Sequence, residues 1–117
     1  MPDFLSDEWF DSLAVAATRA EVSAETSLVV QQIIGSDPVI SWWICIEDGV
    51  VIVDRGEARE ADVRLTTDRD TAIGIHRGEV SAQRAFLDGR LRIGGDIAAL
   101  MTHREVLETV APLLGLT

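Results

Sequence analysis

The sequence predicts an α+β domain with a five-stranded, mostly antiparallel sheet. Three observations lead there. Apolar residues recur at helical spacing near both ends of the chain. In the middle they recur at period two, or as short continuous runs of strand length. An Asp48-Gly49 pair joins two such runs, and this dipeptide suits a tight hairpin turn that needs positive φ at both positions. The chain has 117 residues, of which 47% are hydrophobic, and the expectation is one domain over residues 1–117.

Ser6 can cap a helix over residues 7–20, with Asp7 and Glu8 at the positive end of its dipole. Trp9, Phe10, Leu13 and Ala17 form its apolar face. Strands are expected over 26–34, 39–47 and 50–54, forming an antiparallel meander. The first two are separated by the turn composition Gly35-Ser36-Asp37-Pro38. Residues 55–61 read as a polar loop. Residues 62–67 alternate, with Val63 and Leu65 on one face. Asp68 can cap a helix over 69–77 that ends at Gly78, and Ser81 one over 82–88 that ends at Gly89. Residues 90–93 read as a fifth strand with Leu91 and Ile93 facing inward. Asp96 can cap a helix bearing Ile97, Leu100 and Met101. Thr102 and Glu105 have capping-box spacing for a last helix, which turns Val106, Leu107, Val110 and Leu114 inward. Pro112 disturbs its final turn.

The second strand has two unlike faces. Ile40, Trp42, Ile44 and Ile46 make one wholly apolar, while Val39, Ser41, Trp43, Cys45 and Glu47 make the other only half polar. A sheet covered on one side should be polar on the other. Either both faces are covered within the chain, or a homodimer forms through the face around Trp43; the second is the expectation.

The formal net charge is −10, from 20 acids and 10 arginines without a lysine. Such a balance opposes binding to nucleic acid, whose phosphates are met by Lys and Arg. It also opposes tight docking on an anionic membrane. No apolar stretch reaches the ~18–20 residues that span a bilayer, so stable membrane insertion is not expected. Neither a signal peptide nor a peroxisomal terminus is visible, and a cytoplasmic location follows by default. Cys45 is the only cysteine, which excludes an internal disulfide and a thiolate metal cluster; between Ile44 and Ile46 it reads as a small core residue.

Catalytic constellations are scarce. His76 and His103 lack metal-ligand spacing and read as surface or boundary residues, so no metal and no cofactor are expected. Gly94-Gly95-Asp96 reads as a tight strand-to-helix connection, because an acid at the cap would repel phosphate. Asp54 and Asp62 stand at strand ends, where an acid facing water is the plain reading and a proton-shuttling base the alternative.

One segment resembles a known family. Ala61-Asp62-Val63-Arg64-Leu65, then Gly78, then Ala85-Phe86-Leu87-Asp88-Gly89, and the run Arg90-Leu91-Arg92-Ile93-Gly94-Gly95-Asp96 are similar to the sterol carrier protein 2 (SCP2) sterol-binding domain. About a third of the chain matches closely, and the remainder agrees in element order. Arg90 and Arg92 stand where that family carries lysines. The resemblance implies an SCP2-like sheet with helices packed on one face and a lipid-sized apolar cavity between them, in a bacterial stand-alone carrier. It implies a non-catalytic binding protein for a sterol, steroid, fatty acid or fatty acyl-CoA. Cavity-facing candidates are then Trp42, Ile44, Val63, Leu65, Phe86, Leu91, Ile93, Leu100, Met101, Leu107 and Val110. The residues alone equally allow a closed core. Alternatives are an interaction or dimerisation module without a ligand, and an enzyme acting on steroid-like substrates.

Overall fold

The computed structural model describes residues 3–35 and 38–116. The proposed turn at Ser36 and Asp37 lies outside them, as does Thr117. Helix α1 (Asp7–Arg19) starts where Ser6 Oγ accepts the Trp9 N–H, and it buries Trp9, Phe10, Leu13 and Ala17. Strands β1 (Leu28–Gly35), β2 (Ile40–Glu47) and β3 (Val50–Arg55) form the meander. Asp48 (φ 52°) and Gly49 (φ 78°) are both left-handed, as a type I′ hairpin requires. Then follow β4 (Val63–Asp68), α2 (Arg69–His76), α3 (Ala82–Leu87), β5 (Leu91–Gly95), α4 (Ile97–Thr102) and α5 (Arg104–Val110), with a closing 3-10 turn at Ala111–Leu114.

Two expectations near the C-terminus need correction. Thr102 is not a cap: α4 runs almost directly into α5, and the Thr102 hydroxyl donates to Ala98 O one turn back. The last helix also ends earlier, because Pro112 has no N–H to donate to the preceding turn; the chain tightens into 3-10 geometry instead. The other caps form as the spacing predicts. Asp68 Oδ1 accepts from Thr71 N–H at 2.7 Å, and this bond above all holds the Asp68 carboxyl below its ordinary pKa.

The sheet has the order β3-β2-β1-β4-β5. All neighbours are antiparallel except β1 and β4, which run parallel with Val30 beside Val63. Leu28, Val30, Ile34, Trp42, Ile44, Ile46, Val63 and Leu65 share one face and are buried. The helices pack on that face, supplying Phe10, Leu13, Ala72, Ile75, Ala85, Val110 and Leu113 to the same core. Among the described residues no helix is long and apolar enough to cross a membrane.

From β3 at one edge, the chain must reach β4 on the far side of β1. Residues 56–62 make this crossing over the face away from the helices. Gln31 anchors it: Oε1 accepts the Ala58 N–H at 2.6 Å, while Nε2 donates to Trp42 O at 3.0 Å and Gly56 O at 2.9 Å. The second face is thus partly covered within the chain. Cys45 lies on this face, half-buried, and not in the main core as its neighbours suggested. Burial first, then Glu47 and Asp62, push its thiol pKa up, away from reactivity.

Asp62 joins three strands. Its N–H donates to Val29 O at 2.9 Å, its Oδ2 accepts the Val29 N–H at 2.8 Å, and its carbonyl accepts the Asp96 N–H at 2.7 Å. Gly95, at φ 92°, passes so close that a Cβ there would collide with the Asp62 carbonyl. Gly94 has open space on its Cβ side. Gly95→Ala is therefore expected to lower the unfolding free energy by about 2 kcal/mol in urea titrations, with Gly94→Ala nearly neutral. Equal effects from the two would mean that the Asp62 contact is not what Gly95 serves.

Candidate functional site

A cavity of about 420 Å³ opens between the β4–β5 side of the sheet and the helices. Leu65, Leu91 and Ile93 form its floor. Ala82 and Phe86 of α3 stand on the wall, with Leu100 and Met101 of α4 and Leu107 of α5. Leu114 and Leu116, at and beyond the closing turn, complete the lining, and only Gln83 and Arg104 bring polar side chains to it. Arg104 enters no ion pair among the described residues.

Local structure explains the lining. Ser81 Oγ accepts the Arg84 N–H and starts α3, and Gly89 at φ 78° stops it. Ala85 is fully buried against the core, so the next residue, Phe86, reaches the groove and stays 48% exposed. Asp96 Oδ1 accepts the Ala99 N–H and starts α4, which presents Leu100 and Met101. Met101 is 65% exposed. Large apolar side chains left in water at the rim of an apolar groove are the signature of a surface meant to be covered.

Seven of the eleven candidate residues meet at this groove: Leu65, Phe86, Leu91, Ile93, Leu100, Met101 and Leu107. The other four do not line it. Trp42, Ile44, Val63 and Val110 have no exposed surface and sit in the closed core. Sequence reasoning did not select Ala82, Gln83, Arg104, Leu114 and Leu116 for the lining. The alternation of Leu114 and Leu116 around Gly115 was the available signal for the last two.

Two buried side chains tie the C-terminal turn to the sheet. Trp42 Nε1 donates to Leu113 O at 2.9 Å, and Gln32 Nε2 donates to Leu114 O at 3.0 Å. These carbonyls belong to the end of a helical segment, where intrahelical donors run out. Gln32 was missed in the sequence; its signal is a second glutamine inside the apolar run Val29-Val30-Gln31-Gln32-Ile33-Ile34. Gln32 Oε1 is buried and has no partner among the described residues. An unsatisfied buried acceptor costs about 1–3 kcal/mol.

The remaining candidates have structural settings. His76 ends α2, half-buried, stacked on Phe4 at 4.2 Å between ring centroids and edge-on to Trp9. Asp54 accepts the Arg55 N–H at the end of β3, and Asp62 is spent on Val29; neither lines the groove. No group of three or more metal-ligating side chains occurs among the described residues.

The model of the SCP-2 sterol transfer family matches residues 12–108. No curated protein sequence matches the chain. Among solved structures, a crystal structure of sterol carrier protein 2 superposes with a TM-score of 0.72 at 18% identity, covering 98% of this chain and 100% of its own. Palmitated SCP2-like 2 protein from Aedes aegypti gives 0.67 at 17% identity, covering 90% and 95%. The stereoselective inverting sec-alkylsulfatase from Pseudomonas sp. gives 0.57 at 19% identity, covering 88% of this chain but 16% of the enzyme. At these identities the likeness shows the fold.

The division between groove wall and closed core is measurable. Trp42→Ala is expected to cost about 3–5 kcal/mol in chemical denaturation. Phe86→Ala should cost about 1 kcal/mol or less, because half of the ring is already in water. Similar losses from the two would place Phe86 in the core.

Proposed function

The chain belongs to the SCP-2 sterol transfer family, and on that premise we propose that it binds a sterol, steroid, fatty acid or fatty acyl-CoA as a non-catalytic carrier. The observation that carries this reading is the groove of about 420 Å³ floored by Leu65, Leu91 and Ile93, with Phe86 and Met101 left exposed at it. Its volume falls within the ~300–1,000 Å³ typical of small-molecule sites. Each methylene taken from water contributes about 0.8 kcal/mol, so a long acyl chain gains on the order of 10 kcal/mol before ordering costs. Arg104 supplies the one cation of the lining and suits a carboxylate or phosphate head group. The palmitated mosquito relative, of like fold, supports an acyl ligand. No acid lines the groove among the described residues, which favours binding over acid–base chemistry, although a domain of this fold also occurs within the sulfatase.

Protein purified without delipidation should carry a lipid adduct in native mass spectrometry. Hexadecanoate at about 100 times its dissociation constant should add about 2.7 kcal/mol of stability, read as a rise in Tm. Leu107→Glu, which sets a charge against the chain, should weaken binding by tenfold or more. If a panel of sterols, fatty acids and acyl-CoA produces no shift, and no lipid co-purifies, the reading is wrong.

A second reading concerns the sheet face away from the helices. Val50 and Ile52 are 56% and 52% exposed there, beside half-buried Trp43. On the same face, Glu47 and Asp54 lie on the β2–β3 side and Arg64 and Arg92 on the β4–β5 side. A two-fold axis through the centre would set the acids of one copy against the arginines of the other, as an isologous dimer needs. Sedimentation should show a wild-type dimer and a monomer for Trp43→Glu; a monomeric wild type would remove this reading.

A further inference from the structure

Beside the apolar groove lies a smaller depression of about 330 Å³, and the two share Met101 and Arg104 in their walls. Ser23 and Thr26, from the segment that leads into β1, form one side of it. Thr102, His103 and Glu105, where α4 meets α5, stand on the other. The groove is lined almost wholly by apolar side chains, whereas the depression is lined mainly by polar ones. A polar recess adjoining an apolar groove is the arrangement an amphipathic ligand needs.

Thr26 distinguishes this depression from ordinary polar surface. Of the buried polar side chains, Gln31, Gln32, Thr67 and Thr71 all hydrogen-bond within the fold. Thr26 is equally buried, at 5% exposure, yet its side chain makes no hydrogen bond among the described residues. Its hydroxyl is not sealed off, unlike Gln32 Oε1 and His76 Nδ1, the two closed-off atoms without a partner. Neither Gln32 nor His76 lines the groove or this depression. Thr26 does line the depression, so the hydroxyl meets it there. Buried polar groups in native proteins find partners.

The charges limit what that partner is. Thr102 donates its hydroxyl hydrogen to Ala98 O, which leaves Thr26 and Arg104 as uncommitted donors on the two sides. Arg104 and Glu105 both line the depression, and neither enters an ion pair among the described residues. One negative charge can be received by Arg104. A head with several would be set against Glu105 as well.

We propose that this depression is the head-group subsite of the groove's ligand, holding a single carboxylate between the Thr26 hydroxyl and the Arg104 guanidinium. The inference rests on the apolar-ligand reading above and narrows it to a fatty acid. Its chain passes Met101, which belongs to both walls, and runs along the groove toward Leu114 and Leu116. A sterol hydroxyl leaves the guanidinium without a counter-charge, and the phosphates of an acyl-CoA bring more charge than the depression balances.

The test measures binding of hexadecanoate and its methyl ester, which keeps the chain and a carbonyl oxygen but carries no charge. Wild type should prefer the acid by about tenfold or more at neutral pH. Thr26→Val, which removes the hydroxyl and keeps the shape, and Arg104→Met should each weaken the acid by about tenfold and the ester by about threefold or less, as loss of a hydrogen bond to a charged group requires. Glu105→Gln should strengthen the acid by about twofold or more, and less so at high salt. Hexadecanoyl-CoA should bind wild type more weakly than hexadecanoate. Should Thr26→Val not fold, Arg104→Met and Glu105→Gln, both at exposed positions, make the same comparison. Parallel losses for acid and ester, no loss for either, or a CoA thioester bound more tightly than the acid overturns the subsite while leaving the groove. A wild type that binds neither acid nor ester removes the groove reading and this inference with it.

Discussion

Two hydrogen bonds from the sheet hold the C-terminal turn in place, and the candidate site depends on them. Trp42 Nε1 and Gln32 Nε2 reach out of adjacent strands to the carbonyls of Leu113 and Leu114. The turn ends at Gly115, which is left-handed at φ 71° and packs against Phe4 and Trp42. Without those donors, two helix-terminal carbonyls would be buried unpaired beneath an apolar layer. With them, Leu114 and Leu116 are set as one end of the groove. A central strand pair thus positions residues more than 70 positions away in sequence.

The other end of the architecture rests on Asp62 and Gly95. Their contact links β1, β4 and the start of α4, and so fixes where the groove floor meets the helix carrying Leu100 and Met101. The same stretch carries the family resemblance. Its residues serve geometry: Asp62 satisfies both polar groups of Val29, Gly95 allows close approach, and Asp96 caps a helix. Asp62 is therefore an unpromising base, because its carboxylate is already committed to the backbone. The motif builds the frame of the site and also supplies Leu65, Phe86, Leu91 and Ile93 to its lining.

Charge and apolar surface are segregated. The chain is strongly acidic, yet the groove lining holds no acid and a single arginine among the described residues. An acidic exterior keeps such a protein soluble with apolar side chains such as Phe86 and Met101 exposed. It also disfavours adsorption on anionic bilayers. On the opposite sheet face, the crossing segment at Gln31 covers the centre and leaves Val50 and Ile52 bare at the edge.

Local chemistry was enough to place most elements. Ser6, Asp68, Ser81 and Asp96 cap helices because a side-chain oxygen meets a free N–H three residues on, and Asp48-Gly49 turns a hairpin because both positions accept positive φ. Strand alternation likewise grouped Trp42 with Ile44, and Val63 with Leu65, on apolar strand faces, and the resemblance supplied the helices that cover them. The parallel pairing of β1 with β4 was not legible, since it depends on which strand edge remains free after the meander forms. Nor could composition divide the apolar candidates. Trp42, Ile44, Val63 and Val110 became closed core, whereas Leu65, Phe86, Leu91, Ile93, Leu100, Met101 and Leu107 came to line a groove. Core and cavity wall use the same side chains, and only the packing of helices over the sheet decides which of them have a neighbour on every side. The two glutamines of β1 make the same point with polar atoms. Their sequence neighbours are alike, but one meets a backbone segment that satisfies it, while the other meets the closing turn through its nitrogen and keeps one oxygen unmatched.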